Sequence, residues 1–373
     1  MTIQGELSSR LPAKLRRAAK VSVENVLGVE DGERILIVTN PEHDVFHISR
    51  ALFEASVDVG ARPVLVVQPT KTQLDFASEE VMGALRTDPD IILSISSEKL
   101  GKDPESIKEP IEKNGKKYDH YFNYLLGDKI SRSFWSPSVT MDMFMRCVDI
   151  DYGILKGDCG RIKDILDRGE SVHITSPSGT DIDIAIDGRS AKSDDGDFTE
   201  AGSGGNIPAG ETFISPQLDK SFGKIVFDGS IASDRGIIII KKPIKCHVSE
   251  GLVAEVTGGS EAKKLRETIK RARETTISFV NEGKLPESEK DIYLKNTRNL
   301  GELGIGLNRK ARIIGNMLED EKVYGTCHIA IGANYDQDAN ALIHLDGLIN
   351  KPSITVSSSK FSEEIMVEGR LII

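Results

Sequence analysis

The spacing of apolar residues changes near residue 165, and this change constrains the fold more than any other feature of the sequence. Before it, the apolar runs 34–39, 63–68 and 90–95 alternate with segments of helical periodicity. Strand, helix and strand in this order are typical of a parallel sheet with right-handed crossovers. We therefore expect an N-terminal α/β domain built on a parallel sheet.

The helical segments of this domain are predicted at 8–29, 43–59 and 79–87, where apolar residues recur every three to four positions. Asn40 and Pro41 follow the first strand directly. They are expected to act as the N-cap and first-turn residues of the second helix.

After residue 165, strands, glycines and turns dominate the sequence. Two alternating runs joined at Ser176–Gly179 predict a β-hairpin, and one long helix is expected at Ser260–Asn281. The remaining predicted elements are a glycine-rich acidic loop at 194–205 and strands at 224–228 and 235–241. The chain is therefore divided into an N-terminal α/β domain, 1–165, and a strand-rich α+β domain that binds metal, 166–373.

The charge balance argues against a nucleic-acid partner. The chain of 373 residues has 58 acidic and 48 basic side chains, a net charge of −10, whereas affinity for nucleic acids comes largely from Lys and Arg that neutralise phosphates. The most apolar stretch, 237–240, is only as long as a strand, and the N-terminal segment lacks the apolar region of a secretory signal. The four cysteines form no CxxC pair, as expected of reduced thiols. We expect a cytoplasmic protein that neither binds nucleic acid nor spans a membrane.

One short motif has the spacing of a zinc-binding helix. His43 and His47 lie four positions apart with Asp44 after the first, as in HExxH but with aspartate in place of glutamate. Aspartate is one methylene shorter than the glutamate that reaches a metal-bound water, and the pair lies in the first turns of a helix that directly follows a strand. We therefore expect helix-capping chemistry here rather than a metal site.

The residues best suited to bind a metal ion lie in the last half of the chain. His344 and Asp346 are two positions apart, so both side chains face the same side of a strand. His328 lies in the apolar strand predicted at 324–332, where alternation places it on the same face as the small residue Ala330. A single histidine in a strand is more often packed or hydrogen-bonded than bound to a metal, so the spacing alone does not decide.

Two carboxylates add to this set. Glu211 follows a stiff turn that leads into a short apolar run, and Glu302 lies between the long helix and another apolar stretch. Each can be a solvated surface acid. Combined with the two histidines and Asp346, they suit a pair of sites for hard or borderline divalent ions.

Four segments of the chain resemble, in the same order, the signature stretches of the aminopeptidase T/S family of metallopeptidases. They are GNIPAGETFISP at 205–216, LGELGIG at 300–306, TCHIAIGANY at 326–335 and LIHLDGLI at 342–349. The segment 176–189 is similar to the strand pair that precedes the first metal-binding turn, and 148–152 is similar to the domain junction. The similarity extends over nearly the whole chain, and four ordered blocks are more specific than any one of them.

The resemblance implies a centre of two divalent ions (zinc, cobalt, manganese or magnesium), with Glu302 bridging them. The implied ligands are Glu211, Glu302, His328, His344 and Asp346. Tyr335 matches the active-site tyrosine of the family. Glu321 is assigned to the acid that precedes the first histidine, although Glu319 and Asp320 adjoin it and its spacing to His328 is longer than in the family pattern.

The activity implied is that of an aminopeptidase that hydrolyses the N-terminal peptide bond of short peptides with a metal-activated water. Glu302 is then both ligand and catalytic residue, Glu321 shuttles a proton from the attacking water to the leaving amine, and Tyr335 donates a hydrogen bond to the developing oxyanion. A tyrosine that only closes a strand end is an equal alternative for Tyr335. Members of the family are typically dimers, so the resemblance also implies a homodimer.

Two other functions stay open from the sequence. Ring-cleaving dihydroxypyridine dioxygenases are similar in overall sequence but use a single non-haem iron bound by two histidines and one carboxylate. His344 and Asp346 suit either enzyme, whereas Glu302 favours peptide hydrolysis because the dioxygenase pattern has histidine in that part of the chain. The third function is that of an inactive relative that binds a metal or a peptide without catalysis.

Overall fold

The polypeptide divides into two units that do not follow the order of the sequence strictly. The computed structural model describes residues 10–72 and 74–373. The first unit comprises the chain up to Gly153 together with 196–209, and the second comprises 154–195 and 210–373. The domain boundary is predicted near residue 165, which lies at the end of the helix Tyr152–Leu166. The two units divide near the start of this helix.

The described residues form the following strands and helices. The strands are β1 (Arg34–Thr39), β2 (Arg62–Val67), β3 (Ile91–Ile95), β4 (Ile111–Lys113), β5 (Lys116–Tyr118), β6 (Arg132–Trp135), β7 (Ser171–Thr175), β8 (Asp181–Ala185), β9 (Lys192–Asp194), β10 (Gly204–Asn206), β11 (Glu211–Ile214), β12 (Phe222–Phe227), β13 (Ser230–Ser233), β14 (Gly236–Ile239), β15 (Ile244–Ser249), β16 (Leu252–Thr257), β17 (Leu300–Gly306), β18 (Thr326–Gly332), β19 (His344–Asn350), β20 (Ser353–Ser357), β21 (Ser362–Val367) and β22 (Arg370–Leu371). The helices are α1 (Ala13–Val21), α2 (His43–Asp58), α3 (Glu79–Leu85), α4 (Pro104–Lys108), α5 (Tyr121–Gly127), α6 (Met141–Cys147), α7 (Tyr152–Leu166), α8 (Ser260–Asn281), α9 (Lys290–Asn296) and α10 (Met317–Asp320). A π-helical turn, Ser22–Val26, follows α1, and a 3₁₀ turn, Glu287–Glu289, precedes α9.

The first unit contains the parallel sheet that the sequence predicts. Its strand order is β10-β6-β3-β1-β2, and the neighbouring strands pair in parallel. All residues of β3 and all but the first of β1 are buried, because a parallel sheet of this type is covered on both faces. One core cluster on this sheet consists of Leu36, Val38, Ala77, Val81, Met82, Leu85, Ile92 and Leu125.

The second unit is rich in antiparallel strands, in agreement with the predicted strand-rich domain. A seven-stranded sheet has the order β14-β13-β19-β18-β17-β11-β9, and an eight-stranded sheet has the order β16-β15-β12-β8-β7-β20-β21-β22. The predicted hairpin forms β7 and β8, with Val172 opposite Ile184. The predicted long helix is α8, with the same bounds. Every residue of β17 and β18 is buried, which places these two strands in the middle of the core.

Asn40 does not cap α2 as the sequence predicts. Its side-chain amide donates a hydrogen bond to the carbonyl oxygen of Gln68 at 3.1 Å, and its side-chain oxygen accepts one from the backbone N–H of Ser97 at 2.8 Å. The N-cap position is held by Glu42, whose side chain makes no capping hydrogen bond. Asn40 instead forms hydrogen bonds with the segments that follow β2 and β3.

Two predicted segments are shorter or more ordered than expected. The helix predicted at 8–29 is α1 and its π-helical turn, which ends at Val26, while residues 8 and 9 lie outside the described part. The predicted loop 194–205 ends in β10, because this segment pairs with the exposed edge of β6. Within the described residues, every helix falls short of the length and apolar character that a bilayer span requires.

Candidate metal centre

Five adjacent strands of the seven-stranded sheet carry a row of acidic and histidine side chains. From one edge of the sheet inward, these neighbouring strands are β9, β11, β17, β18 and β19. The residues they carry are Asp194, Glu211, Glu302, His328, His344 and Asp346. Residues that face the same side of neighbouring strands lie about 4.5–5.5 Å apart at Cβ, so strand pairing gathers groups that are far apart in sequence.

The register of the strands explains how these side chains find space. Glu302 on β17 lies opposite Ala330 on β18, and Ala330 lies opposite Asp346 on β19. His328 lies opposite Gly304, and a Cβ atom at this glycine would be 2.0 Å from Nε2 of His328. The small residues at these two register positions therefore leave room for the imidazole and the carboxylates.

Glu302 lies between the two histidines. Its Oε1 is 3.0 Å from Nε2 of His328, and its Oε2 is 3.6 Å from Nε2 of His344. Oε2 of Glu211 is 3.3 Å from the same nitrogen of His328, and Oδ1 of Asp346 is 3.2 Å from Nε2 of His344. Glu302 thus presents one oxygen to each of two ligand sets, Glu211 with His328 and His344 with Asp346.

A buried lysine lies among the carboxylates. Nζ of Lys322 is 2.5 Å from Oε1 of Glu211, 2.5 Å from Oε1 of Glu321 and 3.4 Å from Oδ2 of Asp194. Burial lowers the pKa of Lys322, but the carboxylates around it outweigh burial and raise this pKa well above its usual value. The lysine is therefore charged and holds Glu211 and Glu321 in place.

Burial raises the pKa of four carboxyl groups in this cluster. Desolvation is the largest cause for Glu211, Glu302 and Glu321, and it outweighs the attraction of the neighbouring cationic groups. For the same reason the pKa of Asp194 is raised to about 7. The cluster thus holds more carboxylate groups than its own cationic groups can neutralise.

For the two histidines and Asp346, the charges of neighbouring groups outweigh the effect of burial on the pKa. Burial lowers the pKa of His328, but the hydrogen bond to Glu302 and the nearby carboxylates raise it to about 9. The pKa of His344 is raised to about 10 against burial, chiefly by Asp346. Burial raises the pKa of Asp346, but His344 outweighs it and lowers this pKa to about 2. A cation that binds these imidazoles must displace their protons.

Several buried atoms of the cluster have no hydrogen-bond partner among the described residues. They are Oδ1 of Asp194, Oε2 of Glu211, Oε2 of Glu302, Nδ1 of His328 and Oδ1 of Asp346. Buried polar groups are almost always satisfied, and carboxylate oxygens with imidazole nitrogens are the usual donors to borderline divalent ions. Within the described chain, Glu211, Glu302 and His328 are the one group of at least three His, Cys, Asp or Glu with ligand atoms within 4.8 Å of one another. The residues present therefore fit a divalent metal.

Tyr335 lies beside this cluster. Its ring centroid is 5.2 Å from that of His344 and 5.4 Å from that of Phe213. The residue is 54% exposed, and Nζ of Lys192 lies 5.8 Å from the ring centroid. Tyr335 thus combines contact with a predicted ligand and access to solvent, and its catalytic role stays a prediction.

The structure separates the three consecutive acids at 319–321. Glu319 accepts a hydrogen bond from the backbone N–H of Arg312 at 2.6 Å, and Asp320 accepts one from the hydroxyl of Ser230 at 2.6 Å. Glu321 contacts Lys322 instead. The first two acids hold loop segments in place, whereas the third joins the cluster.

Two residues of the cluster do not follow from the sequence. Asp194 stands at the start of the predicted glycine-rich loop, and Lys322 adjoins a run of acids where a lysine is normally solvated. The one sequence feature that could have indicated a buried Lys322 is its position between Glu321 and the apolar strand predicted at 324–332. The ligand roles of the five predicted metal-binding residues stay predictions, although the structure brings all five together.

The motif at 43–47 does not provide helix capping. Nδ1 of His47 donates to the carbonyl oxygen of His43 at 2.8 Å, and Nδ1 of His43 lies 3.0 Å from Oδ1 of Asp44. The two imidazole centroids are 4.4 Å apart. The rings pack within the first turns of α2 rather than over its N-terminal N–H groups, because the second turn brings positions four apart together.

A family model matches part of the chain. The model "NicX: 2,5-dihydroxypyridine 5,6-dioxygenase" matches residues 152–313. This span includes Glu211 and Glu302 but ends before His328. No curated protein sequence matches the chain.

Two solved structures share the fold over nearly the whole chain. The 2,5-dihydroxypyridine dioxygenase from Pseudomonas putida KT2440 has a TM-score of 0.71 at 15% identity, with 97% of this chain and 98% of that chain covered. Wild-type AmpT from Thermus thermophilus has a TM-score of 0.65 at 15% identity, with 96% of this chain and 99% of that chain covered. The aminopeptidase-like fold expected from the resemblance is therefore confirmed, and it is shared with a dioxygenase.

Proposed function

We propose that the protein is a metal-dependent aminopeptidase that removes N-terminal residues from short peptides. The observation that carries this proposal is the position of Glu302, which directs one oxygen toward His328 and the other toward His344. A carboxylate placed in this way suits two divalent cations, one held with Glu211 and His328 and the other held with His344 and Asp346. Dinuclear sites of this kind occur in aminopeptidases.

When bound, such cations supply Lewis acidity toward a carbonyl and lower the pKa of a coordinated water. The chain's own residues supply the remaining functions. Glu321 has a pKa raised by burial, so its carboxyl group is able to accept a proton and then donate it to a leaving amine. Lys322 fixes this carboxylate by direct contact. The hydroxyl of Tyr335 donates a hydrogen bond to the developing oxyanion.

The cluster is acidic before any cation binds. Five carboxyl groups face one lysine and two histidines, so divalent cations would complete the charge balance. The five are Asp194, Glu211, Glu302, Glu321 and Asp346. Short peptide substrates and a homodimer are proposed from the family resemblance, and a cytoplasmic location is proposed from the four free cysteines.

A second candidate function is cleavage of a dihydroxypyridine ring with a single iron. The family model over 152–313 and the TM-score of 0.71 with the Pseudomonas putida enzyme favour it. His328, His344 and Asp346 lie in the same cluster and provide the two histidines and one carboxylate that a non-haem iron requires. Under this function Glu302 acts as an additional ligand or a proton acceptor.

The deciding experiment combines metal analysis with two assays on the purified protein. We expect two divalent ions per chain, and hydrolysis of leucine anilide that is lost on chelation and restored by zinc, cobalt, manganese or magnesium. Hydrolysis that resists the chelator would overturn the proposal. One iron per chain with oxygen uptake on 2,5-dihydroxypyridine would establish the second candidate. A full metal complement with neither activity would indicate an inactive binding protein.

A further inference from the structure

The first unit has a cavity at the carboxyl ends of two of its parallel strands. The cavity has a volume of about 440 Å³ and adjoins β3 and β6. Its size lies within the range of about 300–1,000 Å³ that is usual for small-molecule sites. Open α/β sheets bind their ligands in the crevice beyond the carboxyl ends of the strands. Size and place are therefore those of a ligand site.

Two serines with little solvent exposure line this cavity. Ser94 and Ser96 are each 5% exposed. They lie two positions apart in extended chain, so they face the same side, and Ser94 lies opposite Trp135 in the sheet. Neither hydroxyl forms a hydrogen bond with a described residue, and neither is sealed from the cavity. Both hydroxyls are therefore available to donate a hydrogen bond to a polar group of a bound molecule.

Aromatic rings form another part of the cavity wall. Phe122 and Trp135 lie with their ring centroids 6.0 Å apart and their planes at 82°. Both line the cavity together with the apolar side chains of Leu100 and Leu126. Edge-to-face aromatic walls of this kind favour a flat, apolar ligand body.

The charged residues of the wall favour an anion. Lys99 and Lys102 both line the cavity, and neither forms an ion pair within 4.0 Å in the described part of the chain. Nζ of Lys102 also lies 5.2 Å from the ring centroid of Phe76. Glu98 is the one acid among the lining residues described, so the lysines outnumber it. The ring nitrogens of His120 are occupied by the backbone N–H of Phe122 and the backbone carbonyl of Gly101. The cavity therefore carries an excess of positive charge.

We propose that this cavity binds a small planar aromatic carboxylate. The ring of the ligand lies against Phe122 and Trp135, and its carboxylate accepts hydrogen bonds from the hydroxyls of Ser94 and Ser96 and pairs with the lysines. The site is formed entirely by residues of the first unit. The proposal is independent of the metal centre and of the reaction proposed there.

The test uses naphthalene-2-carboxylate as the probe and naphthalene-2-carboxamide as its neutral counterpart, each titrated into the full chain by calorimetry. The chain has 1 tryptophan, so the fluorescence of Trp135 reports on this cavity directly. We expect the carboxylate to bind once per chain and to change the Trp135 emission. The amide should bind about tenfold more weakly, the effect of losing a charge-assisted hydrogen bond.

Two double variants separate charge from general effects. K99Q/K102Q should weaken binding of the carboxylate about tenfold and leave the amide unaffected. K113Q/K116Q removes two exposed lysines of the hairpin β4-β5 and should bind the carboxylate as the unmodified chain does. S94A/S96A should weaken both probes, and its circular dichroism spectrum checks that the fold is intact.

Four results would overturn the proposal. They are no binding of the carboxylate at millimolar concentration, binding without a change in Trp135 emission, equal affinity for carboxylate and amide, and unchanged affinity in K99Q/K102Q. The variant Glu302→Gln is expected to bind the probe normally, so failure of this inference and failure of the proposed function are distinguishable.

Discussion

Arg132 in the first unit and Lys322 in the second are both buried cations, but their surroundings differ. Arg132 is 7% exposed, and its guanidinium donates hydrogen bonds at 2.7 Å to each oxygen of Glu33. Its other contacts are the carbonyl oxygens of Leu27 and Gly28, at 2.9 and 3.3 Å. Charge and hydrogen bonds are therefore balanced around this arginine.

Around Lys322 the negative charges outnumber the positive charge. Three carboxylates, those of Glu211, Glu321 and Asp194, share its ammonium group, and oxygens of Glu211 and Asp194 still have no hydrogen-bond partner among the described residues. Burying charge without full pairing is costly. We infer that the arginine pair stabilises the first unit, whereas the carboxylates of the second unit are left available to a cation that is not part of the chain.

The largest expected effect tests the centre of this cluster. Glu302→Gln keeps the shape of the side chain but removes the charge that lies between the two histidines. We expect turnover of leucine anilide to fall by more than about 100-fold, because loss of an outer-shell partner alone costs up to about 100-fold and Glu302 is proposed as a direct ligand. The metal content per chain should fall as well. The exposed acid Glu364 provides the matched control, Glu364→Gln, and normal activity of Glu302→Gln would contradict the proposed role.

The next effect concerns stability without added metal. Lys322→Gln leaves buried carboxylates without their cation and should lower the free energy of unfolding by about 3–5 kcal/mol. Urea unfolding followed by circular dichroism measures this loss, and added divalent metal should recover part of it.

Lys295→Gln serves as the control for Lys322→Gln in the same unit. Its ion pair with Asp219 is 2.7 Å long, but the two side chains are 48% and 52% exposed. The control should cost at most about 1 kcal/mol. Equal losses in the two variants would show that the buried cluster has no special charge imbalance.

The corresponding change in the first unit should behave differently toward metal. Arg132→Gln leaves the half-buried Glu33 without its partner and should cost about 3 kcal/mol. Because the pair is complete without a metal, neither chelator nor added cation should change this loss. Unfolding followed by Trp135 fluorescence reports on the unit concerned, and recovery by metal would remove the distinction between the units.

The last prediction concerns the pH dependence of metal affinity. The pKa of His328 is raised to about 9 and that of His344 to about 10, so both imidazoles carry protons at pH 7. A metal needs the neutral form, and its affinity should therefore rise with pH by about tenfold per unit for each proton displaced, up to the raised pKa. Calorimetry in buffers between pH 6 and 8 measures the slope and the protons released. An affinity independent of pH would argue against coordination by these histidines.

The predictability of the fold differs between elements. β1 and α8 have the bounds expected from the sequence, because their apolar periodicity is strong and local. The N-cap prediction at Asn40 is wrong because contacts with segments far along the chain occupy its side chain. The strand β10 is not predicted because three residues, two of them glycine, have no periodicity and pair only once an edge is available.

The types of residue at the candidate metal centre, and the strand faces that carry them, follow from the local sequence, since alternation within one strand is a local property. Long-range packing places Glu302 between two histidines and brings Glu321, rather than Glu319 or Asp320, into the cluster. It also brings Lys322 and Asp194 there. These features depend on the register between strands from distant parts of the chain. That register is set by packing of the whole sheet, which no single segment encodes.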